Sequence, residues 1–435
     1  MPVVRTVDVA PEPLRIARSL AGRPGLAVLA SRPQGASRPD DARWSFVACD
    51  PVASSDELVP PAVVHEGLGP APLWIGVVPY EALRAIERPA WTRHPDARPR
   101  ATLARPTWRR YAAVVRIDHR TGRVDVVADD PASATTLVQA LRGSSPAAIG
   151  PALDLRLVSH TEDANEADES DEAHRERIRA ALRLIAAGDL FEVNLARRIR
   201  MSFQGEPLAL FERLLDRAPA PWGFLQDLGA DVVCGTSPEL ALSVRGDALR
   251  SCPVKGTRPR GRDAEEDARL ARALDADPKE RAELTMAVDV HRNDLGRVAE
   301  PGSVRVLGEP RVLGGRTVWS RVAEVVARRG RGVTLEQIAQ AVLPCGSITG
   351  APKVRAMEVI ARLEPWRRGV YTGVFGYVGR DGALELAMAI RTLTLHAGEA
   401  TYEATYFSGG GIVADSDPDR ELEETRWKAS QLPFG

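Results

Sequence analysis

Residues 236–257 read TSPELALSVRGDALRSCPVKGT, and this stretch indicates β-structure beside two chemically useful side chains. A strand-like run, LALSVRGDALRSCPV, separates Glu239 from Lys255, which lies 16 residues further along the chain. A hairpin formed by this run would bring the carboxyl group and the amine together. A buried glutamate can keep its proton near neutral pH and act as a general acid. We therefore expect an acid and an amine at the base of one hairpin, with a surface turn as the alternative for Glu239.

Lysine is rare in this chain. Of 58 lysine and arginine residues, only Lys255, Lys279, Lys353 and Lys428 are lysines. An arginine stays protonated, whereas a desolvated lysine amine can lose its proton and become a nucleophile. Lys255 is followed by Gly256, and a glycine turn can present the amine to a pocket. Each lysine is a candidate chemical site, with an ordinary surface cation as the alternative reading.

Length and charge limit the class of protein. The 435 residues predict two lobes or one large interleaved domain, and the net charge of −1 with scattered basic residues argues against a nucleic-acid or membrane partner. Four widely spaced cysteines form no CxxC pair, which is typical of a reducing cytoplasm. The N-terminus lacks the apolar run of a signal peptide, and no segment is long enough to span a bilayer. We expect a cytoplasmic protein with a small ligand.

The chain divides around an acidic segment. Residues 1–155 alternate short apolar runs such as WIGVVPY with polar turns, a pattern of short strands. Residues 161–172, TEDANEADESDE, have almost no apolar side chains, so we place an acidic linker at 156–173 and a catalytic part at 174–435. Ser170 is a candidate cap for a following helix, in which Ile178, Ala181, Leu182 and Ile185 share one face.

Two Glu-x-x-Glu motifs suggest a metal site. Asp277-Pro278 predicts a helix start, after which Glu280 and Glu283 lie three residues apart on one face. Glu421 and Glu424 repeat this spacing near the C-terminus. Like charges on one helical face are unfavourable unless a cation lies between them, and Mg²⁺ prefers carboxylate oxygens. Each helix is therefore a candidate half of a magnesium site, and two solvated acidic faces are the alternative.

Two glycine-rich stretches are candidate anion sites. GSITGAPK (346–353) precedes the helical pattern VRAMEVIARL, and Gly409-Gly410-Gly411 lies near the second glutamate pair. Bare backbone amides and a helix N-terminus both favour a carboxylate or a phosphate. Neither stretch matches a P-loop or a dinucleotide fingerprint, and the chain contains no GxSxG or HExxH motif.

Taken together, these motifs resemble the chorismate-binding enzyme family. The matching strings, which cover nearly all of residues 170–430, are GDLFEVNLARR (188–198), TSPEL (236–240), PVKGTRPRG (253–261), KERAELTMAVDVHRNDLGRV (279–298), GSITGAPKVRAMEVI (346–360), RRGVYTGVFGYVG (367–379), AIRTL (389–393) and GGGIVADSDPDRELEETRWKA (409–429). The resemblance implies an α+β fold with two large packed antiparallel β-sheets flanked by helices. It also implies that the N-terminal part is interleaved with the catalytic part.

The resemblance implies roles for the residues singled out above. Glu283 and Glu424 would hold Mg²⁺ directly, and Glu280 and Glu421 would hold it through water. Lys255 would attack C2 of chorismate while Glu239 protonates the leaving C4 hydroxyl, after which ammonia adds at C4 to yield 4-amino-4-deoxychorismate. The substrate carboxylates would be held by Tyr371, Arg391 and Lys428, with help from the amides around Ser347, Gly409 and Gly411.

Within the family, Lys255 is typical of aminodeoxychorismate synthase component I, whereas anthranilate synthase large subunits carry alanine there. Isochorismate and salicylate synthases carry a water-activating lysine five residues before the arginine that matches Arg198, and this chain has Val193 there. Ser320 replaces a histidine that the family usually has near the leaving hydroxyl. The tryptophan-sensing motif is poorly matched, since residues 28–31 lack its acidic residue.

The resemblance also implies a partner, because no cysteine lies in a glutaminase motif. Ammonia would come from a separate glutamine amidotransferase subunit or from free ammonia. Two alternatives to aminodeoxychorismate formation stay open. One is an anthranilate or 2-amino-2-deoxyisochorismate synthase in which Lys255 is a bystander, and the other is a catalytically weakened chorismate-binding regulatory subunit.

Overall fold

The expected hairpin is present in the computed structural model, which describes residues 1–65, 67–86, 98–143, 156–160, 170–430 and 432. Its two strands pair in antiparallel register, with Leu240 opposite Cys252. Glu239 and Lys255 therefore leave the hairpin from the same end. The Gly256 backbone adopts φ +70° at a register shift inside the next strand, so it forms a bulge in that strand and not the glycine turn that the sequence predicted.

The first 160 residues contribute these strands: β1 (Val3–Thr6), β2 (Ala27–Ala30), β3 (Trp44–Ala48), β4 (Ala53–Ser55), β5 (Pro72–Val78), β6 (Thr107–Arg110), β7 (Ala113–Asp118), β8 (Arg123–Ala128) and β9 (Arg156–His160). The rest of the chain contributes β10 (Glu192–Gln204), β11 (Trp222–Asp227), β12 (Asp231–Ser237), β13 (Leu240–Arg245), β14 (Ala248–Cys252), β15 (Val254–Pro259), β16 (Arg305–Val306), β17 (Arg311–Gly314), β18 (Val318–Val322), β19 (Val325–Arg328), β20 (Gly350–Ala351), β21 (Val374–Gly379), β22 (Leu384–Met388), β23 (Thr392–Ala397) and β24 (Tyr402–Ile412). The helices are α1 (Pro13–Ser19), α2 (Tyr80–Arg84), α3 (Pro131–Gly143), α4 (Asp171–Ala186), α5 (Pro207–Arg217), α6 (Ala264–Ala276), α7 (Pro278–Gly296), α8 (Leu335–Val342), α9 (Gly346–Thr349), α10 (Lys353–Leu363) and α11 (Pro418–Ala429).

Two large antiparallel sheets form the framework, which confirms the predicted α+β fold class. The first runs β1-β8-β7-β3-β2-β11-β12-β23-β24-β10-β20, with β9 also paired to β10, and the second runs β16-β19-β14-β13-β22-β21-β5-β6-β4. Each sheet combines strands from both parts of the chain, because β2 pairs with β11 and β5 pairs with β21. A third, small sheet of β15, β18 and β17 was not predicted.

The two sheets pack face to face through apolar side chains. Phe224 of β11 and Phe375 of β21 stack with ring centroids 4.6 Å apart, inside a cluster of buried residues drawn from both sheets. Aromatic pairs of this kind add stabilisation of about 0.5–1.5 kcal/mol beyond the burial of their area. The contact joins the sheet that contains the hairpin β13–β14 to the sheet that contains the long strands β10 and β24.

The ends of the predicted linker belong to regular elements. Arg156–His160 form β9, which pairs with β10, and α4 begins at Asp171, so 156–173 is too wide for a linker. The backbone of a strand edge offers hydrogen bonds that the composition of 156–160 does not reveal. Residues 161–169 lie outside the described residues. Ser170 caps α4 as predicted, accepting a 3.2 Å hydrogen bond from the Ala173 amide.

The four cysteines are free and buried. In the described ranges of the chain, no helix combines the length and the apolar character that a membrane crossing requires.

Candidate active site

One cleft collects all the catalytic, substrate-binding and metal-ligand residues that the family resemblance implied. They are Glu239, Lys255, Glu280, Glu283, Ser347, Tyr371, Arg391, Gly409, Gly411, Glu421, Glu424 and Lys428. The cleft lies between the paired strands β10 and β24, the small-sheet strand β15 and the helices α7 and α11. Residues scattered over 190 positions of sequence meet here because the sheet order is non-local.

Glu239 sits in the link between β12 and β13 and is 2% exposed. The Ser347 hydroxyl donates a 2.5 Å hydrogen bond to its Oε1. Burial raises the pKa of Glu239 to about 7, although the Ser347 hydrogen bond and the charge of Lys255 act in the opposite direction. A carboxyl group in this state carries a proton near neutral pH and can donate it.

Lys255 is buried in the cleft and pairs with Glu192, a residue that the sequence analysis did not single out. Their side chains are 9% and 2% exposed, respectively. Burial acts to lower the pKa of Lys255, but the surrounding carboxylates, Glu192 foremost, raise it overall. Lys255 therefore rests in the cleft as an ammonium group held by a carboxylate.

The strand β10 places Glu192, and not Val193, toward Lys255. Side chains alternate between the two faces of a strand, and Val193 and Leu195 pack in an apolar cluster with α4 and α10. Asn194 points to the same side as Glu192 and lines the cleft. The position at which the sequence analysis compared Val193 with a family lysine therefore faces away from the cleft, and neither Glu192 nor Asn194 on the other face is a lysine.

The two glutamate pairs approach each other from different helices. Asp277 caps α7 as predicted, accepting hydrogen bonds from the Lys279 amide at 3.0 Å and the Glu280 amide at 3.3 Å. This start directs Glu280 and Glu283 into the cleft, while α11 directs Glu421 and Glu424 there from the C-terminal end. Burial raises the pKa of Glu280, and it raises that of Glu283 to about 7.

Cationic side chains lie among these carboxylates. Lys279 Nζ is 3.2 Å from Glu421 Oε1 and 3.7 Å from Glu283 Oε1, and so bridges the two helices. Lys428 Nζ is 2.6 Å from Glu424 Oε1. Burial acts to raise the pKa of Glu424, but Lys428 lowers it on balance. The carboxylates are hard oxygen donors, and two of them, Glu283 and Glu421, share the Lys279 cation, so the donor set suits Mg²⁺.

The carboxylates are not, however, gathered into a ready-made metal cage. Within the described ranges, no group of three or more acidic, histidine or cysteine side chains is close enough to hold a metal ion. A bound metal would have to displace Lys279 from its bridging position.

Three of the four lysines, Lys255, Lys279 and Lys428, line the cleft.

Lys353 and the start of α10 do not belong to the cleft. Lys353 is buried and pairs with Asp294 at 2.6 Å, which makes it a structural cation. Of the stretch GSITGAPK, only Ser347 and Ile348 line the cleft. The N-terminus of α10 does not line the cleft, because a short helix, α9, and the strand β20 separate Ser347 from α10. An anion site at the start of α10 stays a prediction.

Arg391 and Tyr371 also line the cleft. Arg391 lies between β22 and β23, and in the part of the chain that the structure describes its guanidinium makes no ion pair or hydrogen bond. Burial lowers the pKa of Arg391. Tyr371 stacks on Phe407, with centroids 5.1 Å apart. A buried guanidinium with free donors is well suited to a planar carboxylate.

Ser320 also lines the cleft, on β18 opposite Thr257 of β15. A serine hydroxyl can form hydrogen bonds here but cannot supply a proton at neutral pH. Glu239 is therefore the acid that the cleft provides on this side.

Gly409→Ala tests how closely the cleft backbone is packed. A Cβ at 409 would lie 2.6 Å from the Leu195 carbonyl oxygen and 2.8 Å from the Tyr371 hydroxyl, and the carbonyl cannot move without shifting β10. We expect a loss of about 1–3 kcal/mol in the free energy of unfolding, measured by urea denaturation. Gly410→Ala is the control, since its nearest contact is the flexible Glu421 side chain at 3.3 Å. Equal losses in the two variants would contradict this packing.

Glu239→Gln is expected to change how stability depends on pH. The wild-type carboxyl keeps its proton up to about pH 7 when folded, against an ordinary value of 4.5, so the unfolded state releases its proton first. The free energy of unfolding of the wild type should therefore fall as pH rises from about 4.5 to 7. Glutamine does not titrate. Over this pH range the free energy of unfolding of the variant should therefore fall by about 1–3 kcal/mol less than that of the wild type. Urea denaturation at several pH values measures it, and parallel curves for both proteins would refute the assignment.

Comparisons with known proteins show to which family the chain is related. The profile of the chorismate binding enzyme family matches residues 33–433. Anthranilate synthase component 1 of Thermus thermophilus is 45% identical over 267 residues, which are 61% of this chain and 57% of that protein. The Streptomyces coelicolor protein of the same name is 44% identical over 258 residues, which are 59% of this chain and 50% of that protein. The chain spans about half the length of the curated relatives it matches.

Solved structures show the same architecture. Anthranilate synthase component I from Streptococcus pneumoniae superposes with a TM-score of 0.73 at 28% identity, covering 92% of this chain and 93% of that one. The menaquinone-specific isochorismate synthase MenF from Escherichia coli shares the fold, with a TM-score of 0.73 at 20% identity over 99% of this chain and 94% of that one. With a family match across almost the whole sequence and a shared fold, this chain belongs to the chorismate binding enzyme family.

Proposed function

We propose that this chain catalyses the Mg²⁺-dependent amination of chorismate. Family membership supports chorismate as the substrate, and the cleft offers what a dicarboxylate needs at two ends. Arg391 and Tyr371 line the cleft together with the four glutamates that suit a divalent cation. The backbone amides around Ser347, Gly409 and Gly411 would provide further donors for the substrate carboxylates.

Magnesium would be held by Glu283 and Glu424, with Glu280 and Glu421 acting through water. The ion would bind the ring carboxylate and polarise the ring for loss of the C4 hydroxyl. Lys279, which bridges Glu283 and Glu421, shows that a cation is accommodated between these helices. Lys428 donates a 2.8 Å hydrogen bond to the Gly409 carbonyl, so it links the metal side of the cleft to the glycine-rich strand.

Two products are candidates. The names of the curated relatives favour anthranilate, and on similarity alone that product is the better supported. The geometry of the cleft favours 4-amino-4-deoxychorismate, and the observation that carries this candidate is the buried position of the Lys255 amine. A lysine inside the cleft, on the same side as a protonated Glu239, can form the bond at C2 that loss of the C4 hydroxyl requires.

The chain's own residues then account for the first half of the reaction. Lys255 attacks C2, and Glu239 gives its proton to the departing C4 hydroxyl, which leaves as water. Ammonia adds at C4 and the lysine leaves C2. The cleft supplies no second acid near Glu239, because Ser320 stands where the family usually has a histidine. We therefore assign the proton donation to Glu239 alone.

The ammonia source belongs to the same proposal. We propose that a glutamine amidotransferase subunit, or free ammonia, supplies the nitrogen to a chain that works in the cytoplasm. A regulatory chorismate-binding subunit with weakened catalysis is the remaining alternative, motivated by Ser320. The complete set of glutamates, together with Lys255 and Glu239, argues against it.

Product identification tests the proposal. Purified protein is incubated with chorismate, magnesium and ammonium at mildly alkaline pH, and the products are separated by chromatography and identified by mass spectrometry. The geometric candidate predicts 4-amino-4-deoxychorismate as the released product. Anthranilate would select the candidate that the relatives favour, and no turnover above background would favour the regulatory subunit.

A further inference from the structure

The side chain that contacts Lys255 most closely is Glu192. The two form an ion pair whose members are both buried, and the register of β10 turns Glu192 into the cleft. Glu192 lies at the end of β10 where the strand also pairs with β20, opposite Ala351. Its backbone is therefore fixed on both sides, and its carboxylate has little freedom to leave the amine.

The neighbouring strand is shaped around this pair. A Cβ at Gly411 would press on Glu192 Oε1 and would lie 3.1 Å from Lys255 Nζ. A Cβ at Gly350, on the other side, would collide with the Glu192 carbonyl. Glycine at both positions lets the backbone pass close to the ion pair. The pair is thus a built feature of the cleft, not a surface contact.

A lysine that attacks carbon must first lose a proton, because an ammonium group has no lone pair. The carboxyl groups that influence Lys255 are Glu192, Glu283 and Glu239. Glu239 accepts the hydrogen bond from Ser347 and is the proposed proton donor to the leaving hydroxyl. Glu283 is a proposed ligand of Mg²⁺. Glu192 therefore remains as the carboxylate that contacts the Lys255 amine and has no other role in the proposed reaction.

We propose that Glu192 is the proton acceptor of Lys255. This inference rests on the proposed lysine-dependent route to 4-amino-4-deoxychorismate. A proton moves from the Lys255 ammonium to the Glu192 carboxylate, and the freed lone pair forms the N–C2 bond. The ring double bond shifts, the C4–O bond breaks, and Glu239 protonates the hydroxyl, which leaves as water.

The second half restores every group. Ammonia forms the new bond at C4, the C2–N bond breaks, and its electron pair returns to the Lys255 nitrogen. Glu192 gives its proton back to the lysine amine, and the aminated product gives its surplus proton to Glu239. Chorismate and ammonia are thus converted to 4-amino-4-deoxychorismate and water, with no oxidant or reductant.

The test compares two replacements of Glu192. Glu192→Gln keeps the size and a hydrogen-bond acceptor but cannot take a proton, whereas Glu192→Asp is shorter and can. We expect the glutamine variant to lose about 100-fold in kcat at neutral pH with little change in KM, and to recover as pH rises. The aspartate variant should keep more activity than the glutamine variant. A purely structural ion pair predicts a loss in the glutamine variant that does not change with pH, and such a pH-independent loss would overturn the proposal.

Two further measurements distinguish a failure of the proposed Glu192 role from a failure of the lysine-dependent route. Thermal melts report whether each variant folds, and a glutamine variant that does not fold would assign the pair a structural role and overturn the proposal. Wild type and Lys255→Ala are assayed in parallel for product. If Lys255→Ala matches wild type, the lysine-dependent route itself fails. If Lys255→Ala is inactive while Glu192→Gln matches wild type at all pH values, only the role of Glu192 fails.

Discussion

Replacing Lys255 with alanine is expected to lower the rate of 4-amino-4-deoxychorismate formation by about 1,000-fold or more, the scale on which loss of a covalent nucleophile is felt. The amine is buried in the cleft beside Glu239, and it is the nucleophile that the proposed route uses at C2. Steady-state kinetics with chorismate, magnesium and ammonium measure the loss. KM for chorismate should change much less than kcat.

Lys255→Arg is the matched control for charge. Arginine can keep an ion pair with Glu192 but cannot act as a nucleophile, so it should be as inactive as the alanine variant. An arginine variant close to wild type would mean that position 255 needs only a positive charge. Anthranilate made at equal rates by wild type and Lys255→Ala would contradict the nucleophile assignment altogether.

Glu283→Gln and Glu424→Gln are each expected to weaken the activation of the enzyme by magnesium. A metal ligand supports several kcal/mol of charge stabilisation, so the loss in kcat/KM at fixed magnesium should be about 100-fold or more. Magnesium titrations of activity, together with calorimetric titration of magnesium in the presence of chorismate, measure the effect. Added magnesium should recover part of the activity.

Glu423→Gln is the control on the same helix. Glu423 is exposed and pairs with Arg426 at 3.4 Å, and it does not line the cleft. Its replacement should leave the magnesium dependence within about twofold of wild type, because an exposed ion pair contributes little. Equal losses in the Glu423 and Glu424 variants would show that the helix, not the metal site, was disturbed.

Local signals were enough to find most of the cleft. The Asp277 cap and the three-residue spacing of Glu280 and Glu283 are set by helix geometry, which repeats within a single turn. The same holds for Glu421 and Glu424. The sequence singled out Gly256 because it directly follows one of the few lysines. Its backbone adopts a positive φ in the structure, a conformation that favours glycine. These features need no knowledge of the rest of the fold.

Features that depend on strand order were missed. Glu192 was missed because its neighbour Lys255 comes from a different sheet. Which face of β10 looks into the cleft depends on its pairing with β24, and the sequence analysis considered Val193 but not Glu192. Which lysines line the cleft depends on packing as well, since Lys353 pairs with Asp294 inside the fold.

The two-sheet architecture itself came from the family resemblance, because alternating apolar runs indicate strands without giving their order. The small sheet of β15, β17 and β18 is an example of a strand arrangement that the sequence did not reveal. Its strands are short, and only the tertiary structure separates them from the second large sheet. That separation matters for function, because β15 carries Lys255 and β18 carries Ser320 into the cleft from the same side.

The most direct test of chorismate amination is an isotope experiment on the wild-type protein. The protein is incubated with chorismate and with ammonium that carries the heavy nitrogen isotope, with and without magnesium, and the products are analysed by mass spectrometry. We expect the heavy nitrogen to appear in an aminated chorismate product, and only when magnesium is present. Conversion of chorismate to a product that contains no nitrogen, or unchanged chorismate in both reactions, would contradict the account.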